Sequence, residues 1–354
     1  MAGTPKHLIE NPPPAERAAD WPALGPESGA AGLSLAEDLL SNVLRSVRLT
    51  GSLQFCFMPT GVWQTDGVPR MARAAGDSGR TIPFHILVEG SCWMKMEGRD
   101  YALEAGDVLA FPLGTGHQLG SGRDGRMVTP ILDLPPKPWR TLPVLRYGKA
   151  PERVRLLCGY LLCDAMSFRP LRDAMPSLLH VRTRGANESG WLRHVIAQIV
   201  SEVDAPRAGG LSILERLTEI TFIELLRHHV AGRSGDAGWL AALADPALSR
   251  CLALIHGDPR RDWSVATLSA ASGLSRSSLS ERFESVLSVS PMRYVRDWRL
   301  CLASLALGTS RRSIAAIAEE AGYGTEAAFN RAFARAYGKP PAAWRQTARQ
   351  KAGS

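Results

Sequence analysis

The segment AASGLSRSSLSERF at 270–283 has a counterpart 50 residues later, EAGYGTEAAFNRAF at 320–333. Each copy ends in phenylalanine, and a proline follows each copy eight positions later. The pattern predicts a short apolar helix, a tight turn at glycine and a second helix that buries one face. This is the layout of a helix-turn-helix, whose second helix enters the major groove of DNA. Two copies in one chain predict two neighbouring groove contacts.

In the first copy, residues 265–271 are expected to form the supporting helix and Gly273 the turn. Ser275 suits a helix N-cap, because its hydroxyl can accept hydrogen bonds from free backbone amides. Leu279 and Phe283 are four residues apart and therefore share the inward face of the second helix. The residues of this copy predicted to contact base edges and phosphates are Ser275, Arg276, Ser277, Ser280 and Glu281.

The second copy places its turn at Gly322 and its inward pair at Phe329 and Phe333. Its predicted DNA-facing residues are Thr325, Glu326, Ala327, Asn330 and Arg331. Ala327 can offer only a methyl contact, so we expect this helix to position the protein more than it reads sequence.

A single helix over 292–307 is predicted between the two copies. One face of it is apolar, with Tyr294, Val295, Trp298, Cys301, Leu302 and Leu305. A rigid helix of about fifteen residues spans roughly 22 Å. Such a spacer can hold two recognition helices in successive major grooves, which lie roughly 34 Å apart.

The charge of the chain is concentrated in the same region. Residues 247–354 hold 16 of the 42 Lys and Arg but only 8 of the 34 Asp and Glu, so 26 of each remain in the rest. The whole net charge of +8 therefore lies with the repeat. Phosphate backbones attract such a segment, which favours double-stranded DNA as the partner.

Composition bounds the other function classes. With 45% apolar and 21% charged residues, the 354-residue chain resembles an ordinary soluble protein of two or three domains. No apolar run is long enough for a membrane span, and the N-terminus lacks the apolar core of a signal peptide. The six cysteines are scattered and never form CxxC, so we expect reduced thiols and a cytoplasmic protein.

The N-terminal half predicts a different architecture. Residues 1–30 are rich in Pro, Ala and Gly and are expected to be disordered, and leucines at helical spacing predict a helix over 34–48. From 51 to 133, short segments rich in β-formers are separated by Gly, Pro and Asp. These segments predict an antiparallel barrel of the jelly-roll kind, so we assign 31–135 to this domain.

Residues 136–231 are predicted to be helical, with one helix carrying a broad apolar stripe: Leu211, Leu214, Leu217, Ile220, Phe222, Leu225 and Leu226. The stripe fits either internal core or a face that joins two copies of the chain in a homodimer. The glycine-rich residues 232–238 are interpreted as a linker, and 239–350 as the DNA-binding domain. The predicted fold class is thus α+β multidomain, with an N-terminal jelly roll, a helical dimerisation segment and a C-terminal all-α double helix-turn-helix.

Residues 263–344 resemble the DNA-binding domain of the AraC/XylS family of bacterial transcription regulators. The matching features are Arg299-Leu300, Ile314-Ala315, Ile317-Ala318, Gly322-Tyr323, Phe329, Phe333 and Gly338-Lys339-Pro340-Pro341. The resemblance implies DNA contacts from Ser277, Ser280, Glu281, Glu326, Ala327 and Arg331. The small Ala327 and the acidic Glu281 depart from the usual readers and leave the operator sequence open.

The spacing G-x5-P-x-G-x2-H from Gly106 to His117 resembles the second motif of the cupin barrel, in which the histidine lies at the barrel mouth. The first motif is incomplete, because His85 has only Glu89 as a further candidate ligand. Metal sites usually need three or four ligands. We therefore expect no bound metal and no cofactor, and we interpret His85 and His117 as lining an effector pocket. Cys158 and Cys163 lie in an apolar run and are expected to be core.

Together these patterns indicate a sequence-specific transcription regulator that binds a small-molecule effector in its N-terminal barrel. The alternative is a cupin-type metal-dependent enzyme fused to a DNA-binding domain, which the incomplete histidine set disfavours. An architectural DNA-binding protein would leave the barrel without a role. The effector, the operator and the direction of control are not encoded in recognisable residues.

Overall fold

The computed structural model describes residues 39–46, 48–67, 80–149, 151, 153–184, 190–231, 238–243 and 245–352. The predicted disordered segment 1–30 and most of the predicted linker, 232–237, lie outside the described residues. No helix among the described residues combines the length and the apolar character needed to cross a bilayer.

The strands are β1 (Leu49–Pro59), β2 (Trp63–Gly67), β3 (Thr81–Glu89), β4 (Ser91–Met96), β5 (Arg99–Glu104), β6 (Asp107–Ala110), β7 (His117–Ser121), β8 (Arg126–Met127), β9 (Val144–Tyr147), β10 (Arg155–Cys163) and β11 (Leu179–Arg182). They form a six-stranded sheet in the order β11-β6-β3-β10-β1-β9 and a five-stranded sheet in the order β5-β4-β7-β2-β8. All neighbours are antiparallel except β1 with β9 and β2 with β8, which are parallel. The predicted jelly-roll class is confirmed, with mixed rather than purely antiparallel sheets.

The helices of the N-terminal half are α1 (Leu39–Ser46), α2 (Arg169–Asp173), α3 (Gly190–Asp204) and α4 (Gly210–Ala231). Those of the C-terminal half are α5 (Trp239–Ala242), α6 (Pro246–Gly257), α7 (Val265–Ser272), α8 (Arg276–Leu287), α9 (Pro291–Thr309), α10 (Ile314–Glu320), α11 (Glu326–Tyr337) and α12 (Pro341–Ala352). Short 3-10 helices span Pro130–Leu132 and Asp164–Ser167.

The helical prediction is right for 190–231 but wrong for 155–163, which is β10 of the six-stranded sheet. Leu156 and Cys158 face the interior of the sandwich, whereas Leu157 and Leu161 belong to a second core on the other side. A strand buried on both faces reads as a continuous apolar run, and periodicity cannot distinguish such a run from a buried helix. The predicted boundary at 135 also fails, because β9, β10 and β11 complete the same sheet.

Some strands of the barrel differ from the β-rich segments of the sequence. The segment 127–134 is rich in β-formers, but it contributes only Met127 to β8 and then turns into the 3-10 helix at 130–132. Strands β2, β5 and β7 carry polar residues at most exposed positions, and the sequence did not reveal them.

Helix α4 packs against β1 and α3 with the inner part of its predicted stripe. Leu214, Phe222, Leu225 and Leu226 are buried. Leu211 is 42% exposed and Ile220 36% exposed, so part of the stripe remains at the surface.

Helix α9 is the axis of the C-terminal half, and it buries two opposite faces. Tyr294, Trp298 and Cys301 pack toward α6, α8 and the N-terminal half. Leu300 and Leu307 pack toward α10 and α11 in a separate core. The sequence predicted the first face only, because small residues such as Ala303 on the second face conceal its apolar character.

A residue of the N-terminal half completes the first of these cores. Phe168, just before α2, is 1% exposed and lies edge-on to Tyr294 and Trp298, with ring centroids 5.2 and 5.1 Å away. Ser167 and Cys301 are also in contact, with Oγ and Sγ 3.5 Å apart. The jelly roll and the first helical repeat therefore share one continuous hydrophobic core.

Candidate nucleic-acid interface and barrel pocket

The first repeat folds as predicted, and local chemistry sets both its helix ends. Helix α7 ends at Gly273 in the left-handed conformation, with φ of 73°, which glycine adopts without steric cost. Ser275 then caps α8 by accepting a hydrogen bond from the backbone N–H of Ser278 at 3.1 Å. Leu279 and Phe283 are fully buried, so the rotation of α8 about its axis is fixed.

The opposite face of α8 is exposed at each predicted DNA-facing position: Ser275, Arg276, Ser277, Ser280 and Glu281. The three serines already have local roles. Ser275 serves as the cap, the Ser277 hydroxyl lies 3.0 Å from the Ser275 hydroxyl, and the Ser280 hydroxyl donates to the Arg276 carbonyl at 3.0 Å. The side chains of Arg276 and Glu281 form no hydrogen bond or ion pair with any residue that the structure describes. They are the groups of α8 most available to a ligand.

The second repeat has the same construction. Thr325 caps α11 by accepting from the Ala328 N–H at 3.2 Å, and Phe329 and Phe333 are fully buried. Thr325, Glu326, Ala327 and Arg331 are exposed as predicted. Asn330 differs: its side chain is only partly exposed, and its Oδ1 is buried without a hydrogen-bond partner. Asn330 is therefore less accessible than Arg331, because it lies next to the buried face of the helix, and its contact with DNA stays a prediction.

Arg299 connects the two repeats, a role that its spacing did not reveal. Its Nε donates to the Pro259 carbonyl at 2.7 Å and its Nη2 to the Arg261 carbonyl at 2.8 Å. A Cβ added to Gly322 would lie only 2.6 Å from the Arg299 Nη1. Only glycine allows this approach at the turn of the second repeat, where φ is 80°. Arg299 thus joins the loop before the first repeat to the turn of the second.

The barrel contains a cavity of about 580 Å³ between the two sheets. Most of its lining is apolar, with Phe55, Phe57, Met96, Leu119, Met127 and Ile131. The predicted pair, His85 and His117, lies in its wall together with Cys158. The volume and the apolar lining are those of a site for a small molecule.

The two histidines and the cysteine form one directed chain of hydrogen bonds. His117 Nδ1 lies 3.2 Å from the Thr115 carbonyl, which can only accept, so Nδ1 carries the proton and Nε2 is an acceptor. His85 Nε2, 2.9 Å from His117 Nε2, must then donate. The remaining His85 Nδ1 accepts from the Cys158 thiol, whose Sγ is 3.1 Å away. Each group has a partner without any ligand or metal.

Burial keeps this chain uncharged. Burial lowers the pKa of His85 well below its ordinary value and that of His117 to about 4. Burial likewise raises the pKa of the Cys158 thiol well above its usual range. The histidine–cysteine chain is therefore neutral at pH 7, and Cys158 is a thiol rather than a reactive thiolate. The charged residues of the cavity lining, Asp66, Lys95 and Glu97, are exposed to solvent.

Metal-binding chemistry has little support in these residues. Glu89, the third candidate ligand, pairs with Arg153 at 2.7 Å and Arg155 at 3.5 Å. Among the described residues, no group of three His, Cys, Asp or Glu side chains is placed to hold a metal ion. The predicted core role of Cys158 and Cys163 is consistent with their burial in β10.

Comparison with known proteins supports both halves. A family model described as Cupin matches residues 38–231, and one described as Helix-turn-helix domain matches residues 268–347. The chain is 31% identical to a putative AraC-like transcription regulator of Streptomyces lividans, over 87% of this chain and 98% of that one. It is 28% identical to the HTH-type transcriptional regulator AlkR of Acinetobacter baylyi, over 87% of this chain and 99% of that one. The solved DNA-binding domain of AdpA, in complex with a target DNA, matches 30% of this chain and 96% of that one at 26% identity, with a TM-score of 0.29.

A cupin domain followed by a doubled helix-turn-helix defines a DNA-binding transcription regulator. The chain belongs to the AraC family of HTH-type transcriptional regulators.

Proposed function

We propose that α8 and α11 occupy successive major grooves of one operator. The observation that carries this proposal is that each helix buries an apolar pair against the same α9, Leu279 with Phe283 in α8 and Phe329 with Phe333 in α11, and leaves its opposite face exposed. The 19 residues of α9 span about 28 Å, close to the roughly 34 Å between successive grooves. Such a regulator acts on chromosomal DNA, which places it in the cytoplasm.

Within this interface, Arg276 and Glu281 of α8 read bases, because their side chains have no competing partner in the described structure. Thr325, Glu326, Ala327 and Arg331 of α11 contact the neighbouring groove, with Arg331 on phosphate. Ser275, Ser277 and Ser280 approach the DNA backbone, where a capping hydroxyl can still donate.

The effector is a small, uncharged and largely apolar molecule bound in the barrel cavity. A charged ligand would lose its hydration at the buried part of the wall, where the histidines are neutral and already paired, and this desolvation is costly. The charged lining residues Asp66, Lys95 and Glu97 lie at exposed positions instead. An apolar ligand makes no such demand and fills a site lined by Phe55, Phe57 and Ile131.

Strand β10 supports a direct route from the cavity to the DNA-binding half. Cys158 lies in the cavity wall, and the same strand ends at Cys163. One 3-10 turn later, Phe168 packs on Tyr294 and Trp298 of α9. A ligand that shifts β10 would therefore move the side chain that joins the two halves, and a differential affinity of 1–3 kcal/mol suffices for control.

The exposed apolar residues of α3 and α4 support a homodimer. Trp191 is 57% exposed, and Leu211, Ile213 and Ile220 are exposed on the neighbouring helix. A face of this kind is suited to a two-fold contact, in which the same residues meet on both copies.

Effector binding is tested by filling the cavity. Ile131 lines the cavity, whereas its neighbour Leu132 is 68% exposed and does not. Operator affinity of the intact chain is measured against a library of neutral aromatic and aliphatic compounds, for the parent, for Ile131→Trp and for Leu132→Trp. We expect a ligand that changes operator affinity 5- to 150-fold for the parent and Leu132→Trp but not for Ile131→Trp. Identical operator-binding curves with every compound would contradict effector control.

A metal-dependent enzyme is not proposed. The barrel offers two histidines that are hydrogen-bonded to each other, and Glu89 is engaged by arginines.

A further inference from the structure

A second cavity lies between the two halves of the molecule, away from the barrel. It is a cleft of about 520 Å³. On one side lies α2 of the cupin half, residues 38–231, which we call the sensor half, and on the other lie α9 and the C-terminal ends of α8 and α11. This volume is within the range of small-molecule sites. Neither the barrel pocket nor the faces proposed to contact DNA includes its lining residues.

The cleft carries an excess of positive charge. Four arginines line it, Arg169 from α2, Arg293 and Arg296 from α9, and Arg335 from α11, against two carboxylates, Asp173 and Asp297. All four guanidinium groups stay charged at any physiological pH. The lining therefore has two more positive than negative side chains.

The existing ion pairs do not neutralise the excess positive charge of the cleft. Arg293 and Arg296 share the single Asp297, at 3.7 and 3.4 Å, and both are more than half exposed. Arg169 lies 3.8 Å from Asp173, with both side chains more than half exposed. Surface pairs of this kind contribute about 0–1 kcal/mol, so an incoming anion can replace them.

Arg335 is the least engaged of the four. Its side chain is exposed and forms no hydrogen bond or ion pair with any residue in the described part of the chain. It lies one helical turn beyond Arg331 on α11. Because the second repeat has a core of its own, Arg335 belongs to the part of the molecule that is not packed into the sensor half.

We propose that this cleft binds a small organic dianion whose carboxylate or phosphate groups bridge Arg169 of the sensor half and Arg335 of the second repeat. Guanidinium groups match both oxyanions with paired N–H donors. Val286, Leu287 and Leu300 give the carbon skeleton of the ligand an apolar floor. The bound dianion ties α11 to α2 and adds a second input, which is independent of the neutral effector proposed for the barrel.

Isothermal titration of the intact chain at fixed ionic strength tests this site. The probes are succinate, glycerol 3-phosphate and inorganic phosphate, with dimethyl succinate as the uncharged counterpart. The variants are Arg169→Gln and Arg335→Gln. The matched control is Arg123→Gln, because Arg123 is an exposed arginine of the barrel that does not line the cleft. Preference for succinate or for glycerol 3-phosphate separates a carboxylate ligand from a phosphate ligand.

We expect saturable one-to-one binding of at least one dianion and none of dimethyl succinate. Arg169→Gln and Arg335→Gln should each weaken this binding at least tenfold, whereas Arg123→Gln should leave it unchanged. A lack of saturable binding by all three anions would overturn the proposal, as would an equal loss in Arg123→Gln. If Arg335→Gln weakens only DNA binding, Arg335 is a contact to the DNA backbone and the dianion site does not exist.

Discussion

The two helix-turn-helix units have nearly the same internal construction but different surroundings. In the first, Leu279 and Phe283 belong to a core that continues through Phe168 into the sensor half. In the second, Phe329 and Phe333 belong to a separate core built only from the C-terminal helices. The two units therefore share one motif, but only the core of the first continues into the sensor half.

This difference indicates how the halves communicate. A rearrangement of the sensor can act on the first unit through direct packing, because tightly packed cores transmit displacement. The second unit follows through α9, through Arg299, which reaches its turn, and through the ion pair of Arg260 with Glu320 at 2.7 Å. We therefore expect the first unit to be the controlled one and the second to be a more autonomous anchor.

The largest expected effect comes from replacing one buried phenylalanine of each unit with alanine. Phe283→Ala and Phe333→Ala should each cost about 3–5 kcal/mol, since both rings are fully buried. Phe283→Ala should destabilise the sensor half and the first unit together, whereas Phe333→Ala should open only the helices around the second unit. Hydrogen exchange read by mass spectrometry along the chain distinguishes these outcomes. Faster exchange in the barrel of Phe333→Ala, equal to that in Phe283→Ala, would show that the two cores are not separate.

Acid should weaken the first core selectively. His256 accepts from Tyr294, which in turn accepts from Trp239, and burial lowers the pKa of His256 to about 3. The unfolded chain binds a proton below pH 6.5, whereas the folded chain resists protonation until about pH 3. The stability of this core is therefore full above pH 6.5 and falls by about 1.4 kcal/mol for each pH unit below it.

No histidine follows His256 in the sequence, so the second core lacks this dependence. Thermal unfolding followed by tryptophan fluorescence between pH 7.5 and 5 measures the effect. Equal acid sensitivity of both units in hydrogen exchange would argue against this assignment.

Arginine substitutions should separate reading from positioning. Arg276→Ala should cost about 1–3 kcal/mol on a selected operator and relax the preference at one base pair. Arg331→Ala should weaken operator and random DNA alike and lower the salt slope of binding by about one. Fluorescence anisotropy at several salt concentrations, with operator obtained by selection from random duplexes, measures both. A loss of specificity in Arg331→Ala with no change in slope would reverse the two roles.

The smallest effect concerns the caps. Ser275→Ala and Thr325→Ala each remove one hydrogen bond to a helix N-terminus and should cost about 1 kcal/mol. Urea unfolding of each variant measures the cost. A larger cost for Thr325→Ala than for Ser275→Ala would indicate that the stability of the second unit depends more on its cap than the stability of the first unit does.

Sequence patterns predicted the C-terminal half well because its signals are local. The turn glycines, the capping hydroxyls and the inward apolar pairs act within one or two helical turns. Asn330 is the exception: its position on the helix indicated exposure, but the neighbouring side chains bury its Oδ1. Burial depends on how much of the helix its partners cover, and the repeat alone does not contain that information.

The N-terminal half was harder to predict because its signals are long-range. Strand β10 pairs with β1 and β3, from far earlier in the chain, and its apolar run is ambiguous without those partners. The partner of His85 was likewise unforeseen. His117 was recognised from its motif, but only folding brings His85 and Cys158 into one hydrogen-bonded chain with it.

By itself, the amino-acid sequence determined that this chain carries two helix-turn-helix units, a basic C-terminal third and a barrel with a histidine pair, because each is written in spacing or charge. The tertiary structure alone decided that the first unit is fused to the sensor through Phe168, that the histidines are neutral and paired, and that four arginines from three helices converge on one cleft. These features join residues that are distant in sequence, and their contacts exist only when packing brings the elements together.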